Sequence, residues 1–236
     1  MREKRVLPSP ARLLAVRVRR LCGVLSLGWL PALATAQTVP PVPALHADVE
    51  AVLALRGDAT RGRAAYQPCV PCHRADASGR PAASIPRLAG QHARVIVKQV
   101  VDIRGGRRLN PAMKELLDDR PLGDQALADI AAFLDGLPVN AASVVRGAGS
   151  ALERGKALYD KDCAECHGSS GEGRAQTLHP MVASQHHGYL QRELQLIAKG
   201  ERGNSDATMT ARLKAYDATD LDALADHMSR LSAPIR

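Results

Sequence analysis

Residues 68–73 read PCVPCH and residues 162–167 read DCAECH, so the chain spells Cys-x-x-Cys-His twice at a spacing of 94. The same shift carries PRLAGQ (86–91) onto PMVASQ (180–185), Gly106 onto Gly200, and Leu137 at the end of one helical pattern onto Leu231 at the end of another. Between these points GRRLNPAM becomes GERGNSDATM, which moves Met113 onto Met209 at a spacing of 96. A self-similarity that covers most of a 236-residue chain means two copies of one domain design, not one large domain. Apolar residues recur at helical spacing in QHARVIVKQVVDIR and DQALADIAAFLDGL of the first copy, and in SALERGKALYDKDC, HHGYLQRELQLIAK and TDLDALADHMSRL of the second. A further helix is expected over 60–69, and Asp124 reads as an N-cap. The expected fold class is all-α, with Gly- and Pro-rich loops between helices.

On one helical turn, residues three and four apart share a face, so Cys69 and Cys72 reach two points along one edge of a flat ligand while His73 lies beneath it. Cys163, Cys166 and His167 repeat the arrangement. Two thioether bonds and an imidazole ligand are what covalent attachment of haem c requires, and this spacing is its signature. A thiol–disulfide redox pair needs no following histidine. Zinc asks for four ligands in one site. Disulfides between cysteines three apart suit an oxidising compartment but leave the duplicated histidine unexplained. Two covalently bound haem c groups, with their iron, account for every cysteine outside the first 36 residues. They also supply core volume to a chain that beyond residue 36 has only Phe133 and four tyrosines as large rings.

A thioether opposite histidine is the ligand pair of electron-transferring cytochromes c. Met113 and Met209 are the candidates, each 40 to 42 residues after its motif histidine, in a polar Gly/Asn-rich loop ahead of the closing helix. Met181 and Met228 face Arg87 and Leu134 in the other copy and read as packing residues. His92 and His186 correspond between copies and read as surface residues at helix starts. Pro86 and Pro180 each follow a motif histidine by 13 residues, where a carbonyl can accept the Nδ1–H of the iron-bound ring and fix its orientation.

The first 36 residues run from a basic stretch into an apolar segment and a small-x-small ending, Ala34-Thr35-Ala36, the order of an exported signal peptide cleaved before Gln37. A membrane anchor is the alternative, though the charge-free run over 21–36 is short for a span and contains Pro31. Arg19-Arg20 fits a twin-arginine signal poorly. This segment holds seven Lys/Arg and one Glu, six of the formal net charge of +8, so the remainder is near neutral and nucleic-acid binding loses its support. The expected organisation is a signal over 1–36, a lead-in over 37–57 with an extended QTVPPVP, a first domain over 58–138, a linker over 139–150 and a second domain over 151–236.

With Cys-x-x-Cys-His, PRLAGQH, the loop methionine and the ADIAAFLDGLP closing helix in place in each half, the chain resembles the dihaem cytochromes c of the cytochrome c4 family over nearly all of its length beyond the signal. The resemblance implies two class I cytochrome c domains packed about a pseudo-twofold axis, His/Met ligation by His73 with Met113 and His167 with Met209, and single-electron transfer with no substrate transformed. The signal peptide implies a periplasmic location, with membrane association if it is retained, and an electron carrier there is expected to serve redox partners such as a cytochrome bc complex, a terminal oxidase or a dehydrogenase. A cytochrome subunit of a flavocytochrome c or other dehydrogenase complex is the alternative, and a dihaem peroxidase a more distant one. Departures from the pattern, among them PMVASQ for PRLAGQ, His227 where Phe133 stands in the first copy, and HRADASGR against HGSSGEGR, point to two haems of unequal potential. Arg104, Arg107, Arg108 and Lys114, with no acid among residues 104–114, suggest a basic patch that steers an acidic partner to the first haem.

Overall fold

The computed structural model describes residues 45–233; the expected signal peptide and the QTVPPVP stretch lie outside them. Among the described residues the regular structure is helical: α1 (Ala47–Leu53), α2 (Ala59–Ala65), α3 (Val70–His73), α4 (Ala93–Arg104), α5 (Pro111–Asp119) and α6 (Asp124–Asp135), then α7 (Leu152–Asp162), α8 (Ala164–His167), α9 (His187–Ala198), α10 (Ala207–Leu213) and α11 (Ala218–Arg230). Helices α2, α4 and α6 pack together in the first half, and α7, α9 and α11 in the second. Each group has its own core: Val97, Val101, Leu127 and Leu134 in one, Leu190, Leu194, Leu221 and Leu224 in the other. Even the isolated backbone bridges repeat, Arg80 with Ile85 and Arg174 with His179.

The closing helices sit tight against α2 and α7 because a glycine stands at each crossing. A Cβ on Gly62 would collide with the carbonyl oxygen of Asp129, and one on Gly155 with that of Ala223. Glycine weakens a helix interior by roughly 1 kcal/mol, and here it permits a backbone-to-backbone approach that no other residue allows.

Several local expectations change. The helix expected over 60–69 ends at Ala65 and passes into a 3₁₀ turn, Gln67–Cys69, with Pro68 in its first positions. Asp124 is the first residue of α6, and Gly123 is its N-cap. The segment 37–57 includes α1, whose Val49 and Val52 are buried in the first core. Residues 139–150 are stitched to the second domain: Gly147 and Gly149 donate to the Asp226 carboxylate at 3.0 and 2.6 Å, and Arg230 donates to the Gly147 carbonyl at 2.8 Å.

The two domains meet through bonds that reciprocate about a pseudo-twofold axis. Gln91 and Gln185, equivalent in the repeat, each grip the backbone of one residue in the other domain. Gln185 Oε1 accepts from Arg87 N at 2.9 Å while its Nε2 donates to Arg87 O at 3.0 Å. Gln91 treats Met181 in the same way, both bonds at 2.9 Å. His92 and His186 form the N-caps of α4 and α9, yet their rings do not serve those helices. His92 Nε2 donates to Glu172 O at 2.8 Å, and His186 Nε2 to Ser78 O at 2.7 Å, again equivalent pairs. His186, expected on the surface, is buried because it crosses this interface.

Candidate functional site

The Cys-x-x-Cys-His residues occupy the turn between α2 and the following loop, and their equivalents the turn after α7. Neither Cys69 with Cys72 nor Cys163 with Cys166 is closed as a disulfide. Burial is the main reason the Cys69 thiol is pushed up to about 11 and the Cys163 thiol to about 12. A disulfide oxidoreductase needs a lowered thiol pKa, so these environments disfavour a redox pair. Among the described residues no group of three His, Cys, Asp or Glu side chains could hold a metal ion by itself.

His73 and His167 are both buried. His73 Nδ1 donates to Pro86 O at 3.2 Å and His167 Nδ1 to Pro180 O at 2.9 Å. With Nδ1 committed, Nε2 is left as the acceptor nitrogen of a neutral ring. Burial lowers the pKa of each imidazole despite the stabilising proline carbonyl, which favours the neutral form that binds metal.

Met113 and Met209 are not in loops. Each is the third residue of a short helix, α5 or α10, and each helix begins with a side-chain cap on that methionine. Asn110 Oδ1 accepts from Met113 N at 3.2 Å, and Asp206 Oδ1 from Met209 N at 3.1 Å. The Asn-Pro and Asp-Ala starts were visible as N-cap signals. They fix the backbone of the methionine in the same way in both copies.

One continuous cavity of about 1090 Å³ joins these residues. Its wall includes Cys69, Cys72, His73 and Met113 from one domain and Cys163, Cys166, His167 and Met209 from the other. It exceeds the roughly 300–1,000 Å³ of a typical single small-molecule site. Helix α5 has no buried residue, and its Ala112, Met113, Leu116 and Leu117 line the cavity. Tyr66 Oη, Asn204 Oδ1 and Ser205 Oγ are buried without a protein partner, on residues of the same wall. Soft and imidazole donors contributed by both domains, an apolar helix face and spare polar atoms around one shared cavity fit two haems.

The chain matches the Cytochrome c family over residues 59–138 and again over 152–232. Cytochrome c4 from Pseudomonas aeruginosa is 36% identical over 157 residues, covering 64% of this chain and 77% of that one. The chain belongs to the cytochrome c4 family. It is a dihaem c-type cytochrome and an electron carrier, with two covalently bound haem c groups, and as a carrier it exchanges electrons with other redox proteins. The crystal structure of reduced recombinant cytochrome c4 from Pseudomonas stutzeri superimposes with a TM-score of 0.67 at 28% identity, covering 75% of this chain and all of that one. The thiosulfate dehydrogenase electron acceptor of Stutzerimonas stutzeri is 30% identical over 173 residues, 69% of this cytochrome and 78% of that protein.

Within this cytochrome, Tyr66 and Tyr159 are equivalent residues that a fixed spacing of 94 conceals. One extra residue separates Tyr159 from its motif, so the spacing before the motif is 93. Both rings are almost wholly buried, but Tyr159 Oη donates to Gly168 O at 2.6 Å whereas Tyr66 Oη has no protein partner. Arg87, replaced by Met181 in the second copy, is buried against the second domain, donating to Ser184 O and Ala183 O at 2.8 Å each and approaching Met181 Sδ at 3.6 Å. Met181 and Met228 are buried, at 2% and 3% exposure, as packing residues should be.

The expected basic patch is not a free positive surface. Arg104 pairs with Asp124, Arg107 with Asp48 and Asp102, Arg108 with Glu193 and Lys114 with Asp118, all at 2.7 to 3.0 Å. Their acids lie outside residues 104–114, which is why the local charge pattern misled.

Proposed function

We propose that this cytochrome relays single electrons between periplasmic or membrane-bound redox proteins, with one haem joined to Cys69 and Cys72 and the other to Cys163 and Cys166. His73 with Met113, and His167 with Met209, are the axial ligand pairs; Pro86 and Pro180 orient the histidines. The observation that carries the reading is the duplicated pairing of a buried, carbonyl-anchored histidine with an N-capped helical methionine around one cavity. When bound, each haem supplies a one-electron couple, and a thioether ligand raises its potential. The chain keeps the imidazoles neutral and oriented, fixes the methionine backbones and surrounds the site with apolar side chains. Arg87 against Met181, and Tyr66 against Tyr159, give the two sites different surroundings and support unequal potentials.

Visible and near-infrared spectroscopy of the purified protein tests the ligation. Two low-spin haems per chain, with a methionine-to-iron band whose total intensity falls by half in M113A and by half in M209A, is the expected result. A high-spin haem in the parent protein overturns it and reopens the peroxidase reading.

A place as electron acceptor of a dehydrogenase is the second reading, supported by the likeness to the thiosulfate dehydrogenase electron acceptor. Copurification with a dehydrogenase whose substrate then reduces both haems distinguishes it from a free carrier serving a cytochrome bc complex or terminal oxidase. Among the described residues no helix is long and apolar enough to cross a membrane. The periplasmic assignment rests on the signal-like first 36 residues.

A further inference from the structure

The carbonyl that accepts from His73 and the N–H that donates to Gln185 belong to one peptide group. Pro86 supplies the oxygen, at 3.2 Å from His73 Nδ1, and Arg87 the nitrogen, at 2.9 Å from Gln185 Oε1. The second domain repeats this through the Pro180–Met181 peptide: His167 Nδ1 donates to Pro180 O at 2.9 Å, and Met181 N donates to Gln91 Oε1 at 2.9 Å. Each motif histidine is therefore linked, through a single peptide plane, to a glutamine of the opposite domain.

We propose that Gln185 and Gln91 are positioning residues that act across the domain interface, Gln185 on the haem held by His73 and Gln91 on the haem held by His167. This rests on the axial roles assigned above to the two histidines. The amide orientations are fixed by the surroundings. Gln185 Oε1 also accepts from His186 N at 3.0 Å and Gln91 Oε1 from His92 N at 3.1 Å, so each oxygen faces two N–H groups while each Nε2 faces a carbonyl. A flipped amide would oppose donor to donor and acceptor to acceptor.

Two effects follow from one bond. An acceptor on the peptide N–H polarises the whole peptide group, making its carbonyl a better partner for the histidine, as hydrogen bonds in series strengthen one another. A stronger bond at Nδ1 makes the imidazole a more basic ligand, which favours the oxidised iron. The two-pronged grip also stops the peptide plane from rotating. Both glutamines are buried, at 7% and 4% exposure, so water does not compete for the bonds.

The test uses the haem-loaded full chain and its Q185A, Q91A and H92A variants. Proton NMR would follow each haem's methionine methyl and histidine Nδ1–H signals, and spectroelectrochemistry would follow each potential. Q185A should raise the potential and shift the signals of the His73 haem while leaving the other haem in place, and Q91A should do the reverse. H92A removes a different cross-domain bond, to Glu172 O, and should leave both haems unshifted. If Q185A loads no haem, Q185E, which retains an oxygen toward Arg87 N, must still shift only the His73 haem. Shifts confined to the variant's own domain, equal shifts at both haems, or an H92A shift matching the glutamine variants would overturn the proposal. None of these outcomes removes the methionine-to-iron bands, so the proposal can fail while the axial assignment stands.

Discussion

Arg108 of the first domain and Glu193 of the second form an ion pair at 3.0 Å, both side chains no more than a tenth exposed. Arg202, the repeat equivalent of Arg108, approaches the same carboxylate oxygen at 3.3 Å, and both arginines also donate to Gln99 at 3.0 Å. Gln99 is in turn the equivalent of Glu193. The axis thus carries two arginines, one carboxylate and one amide where strict symmetry would have two carboxylates or two amides.

Replacing Glu193 by Gln leaves two desolvated guanidinium groups without their shared carboxylate. The expected loss is about 3 kcal/mol, the scale of breaking a buried pair by removing one partner. A lower urea midpoint checks it, and an unchanged midpoint would show the charge to be well solvated.

Arg74 follows the first motif histidine at φ 65° and ψ 163°, a region nearly reserved for glycine, and the second copy places Gly168 there at φ 82° and ψ 156°. Arg74→Gly should stabilise the first domain by about 1 kcal/mol or more by removing that strain, less the extra freedom glycine gives the unfolded chain. The readout is a rise in denaturation midpoint at constant slope.

Asp129 is held at about 2 by Arg61, with further bonds from Asp58 N and Gln125. Its folded pKa lies below the ordinary carboxylate value near 3.9, so its stabilisation is complete above about pH 4 and is lost as pH falls through about 2. Asp129→Asn should flatten the stability-against-pH curve in that window and lower stability at pH 7. Parallel slopes for the two proteins would contradict this.

Gly62→Ala places a methyl group against the Asp129 carbonyl and forces α2 away from α6. Overpacking of this kind costs about 1–3 kcal/mol. Gly155→Ala should do the same to the second domain, and thermal unfolding of the two variants should show which transition belongs to which half.

The haem motifs, the duplication and most helices could be read from the sequence because each is written in local spacing. The Met113 and Met209 helices could have been read as well, since Asn110-Pro111 and Asp206 are ordinary helix starts; their polar composition disguised short amphipathic turns as loops. A single spacing of 94 hides the equivalence of Tyr66 and Tyr159, because one residue is inserted between Tyr159 and its motif. What sequence does not reveal is long-range: Gln91 and Gln185 stand at equivalent places in PRLAGQ and PMVASQ, but nothing local says that each grips the other domain. The pairing of Arg104, Arg107 and Arg108 is similar, because Asp124, Asp48 and Glu193 come from other helices or the far domain.

An interface in which residue i meets j while the equivalent of j meets the equivalent of i is the isologous contact of a homodimer. Gln91 on Met181 and Gln185 on Arg87 have that form. The repeat thus places within one chain a contact that two separate copies of the domain could also make. In a homodimer, however, position 87 would face its own copy, arginine toward arginine or methionine toward methionine. Covalent union of the halves is what allows Arg87 to lie against Met181, and with it a permanent direction along a molecule built from two like parts.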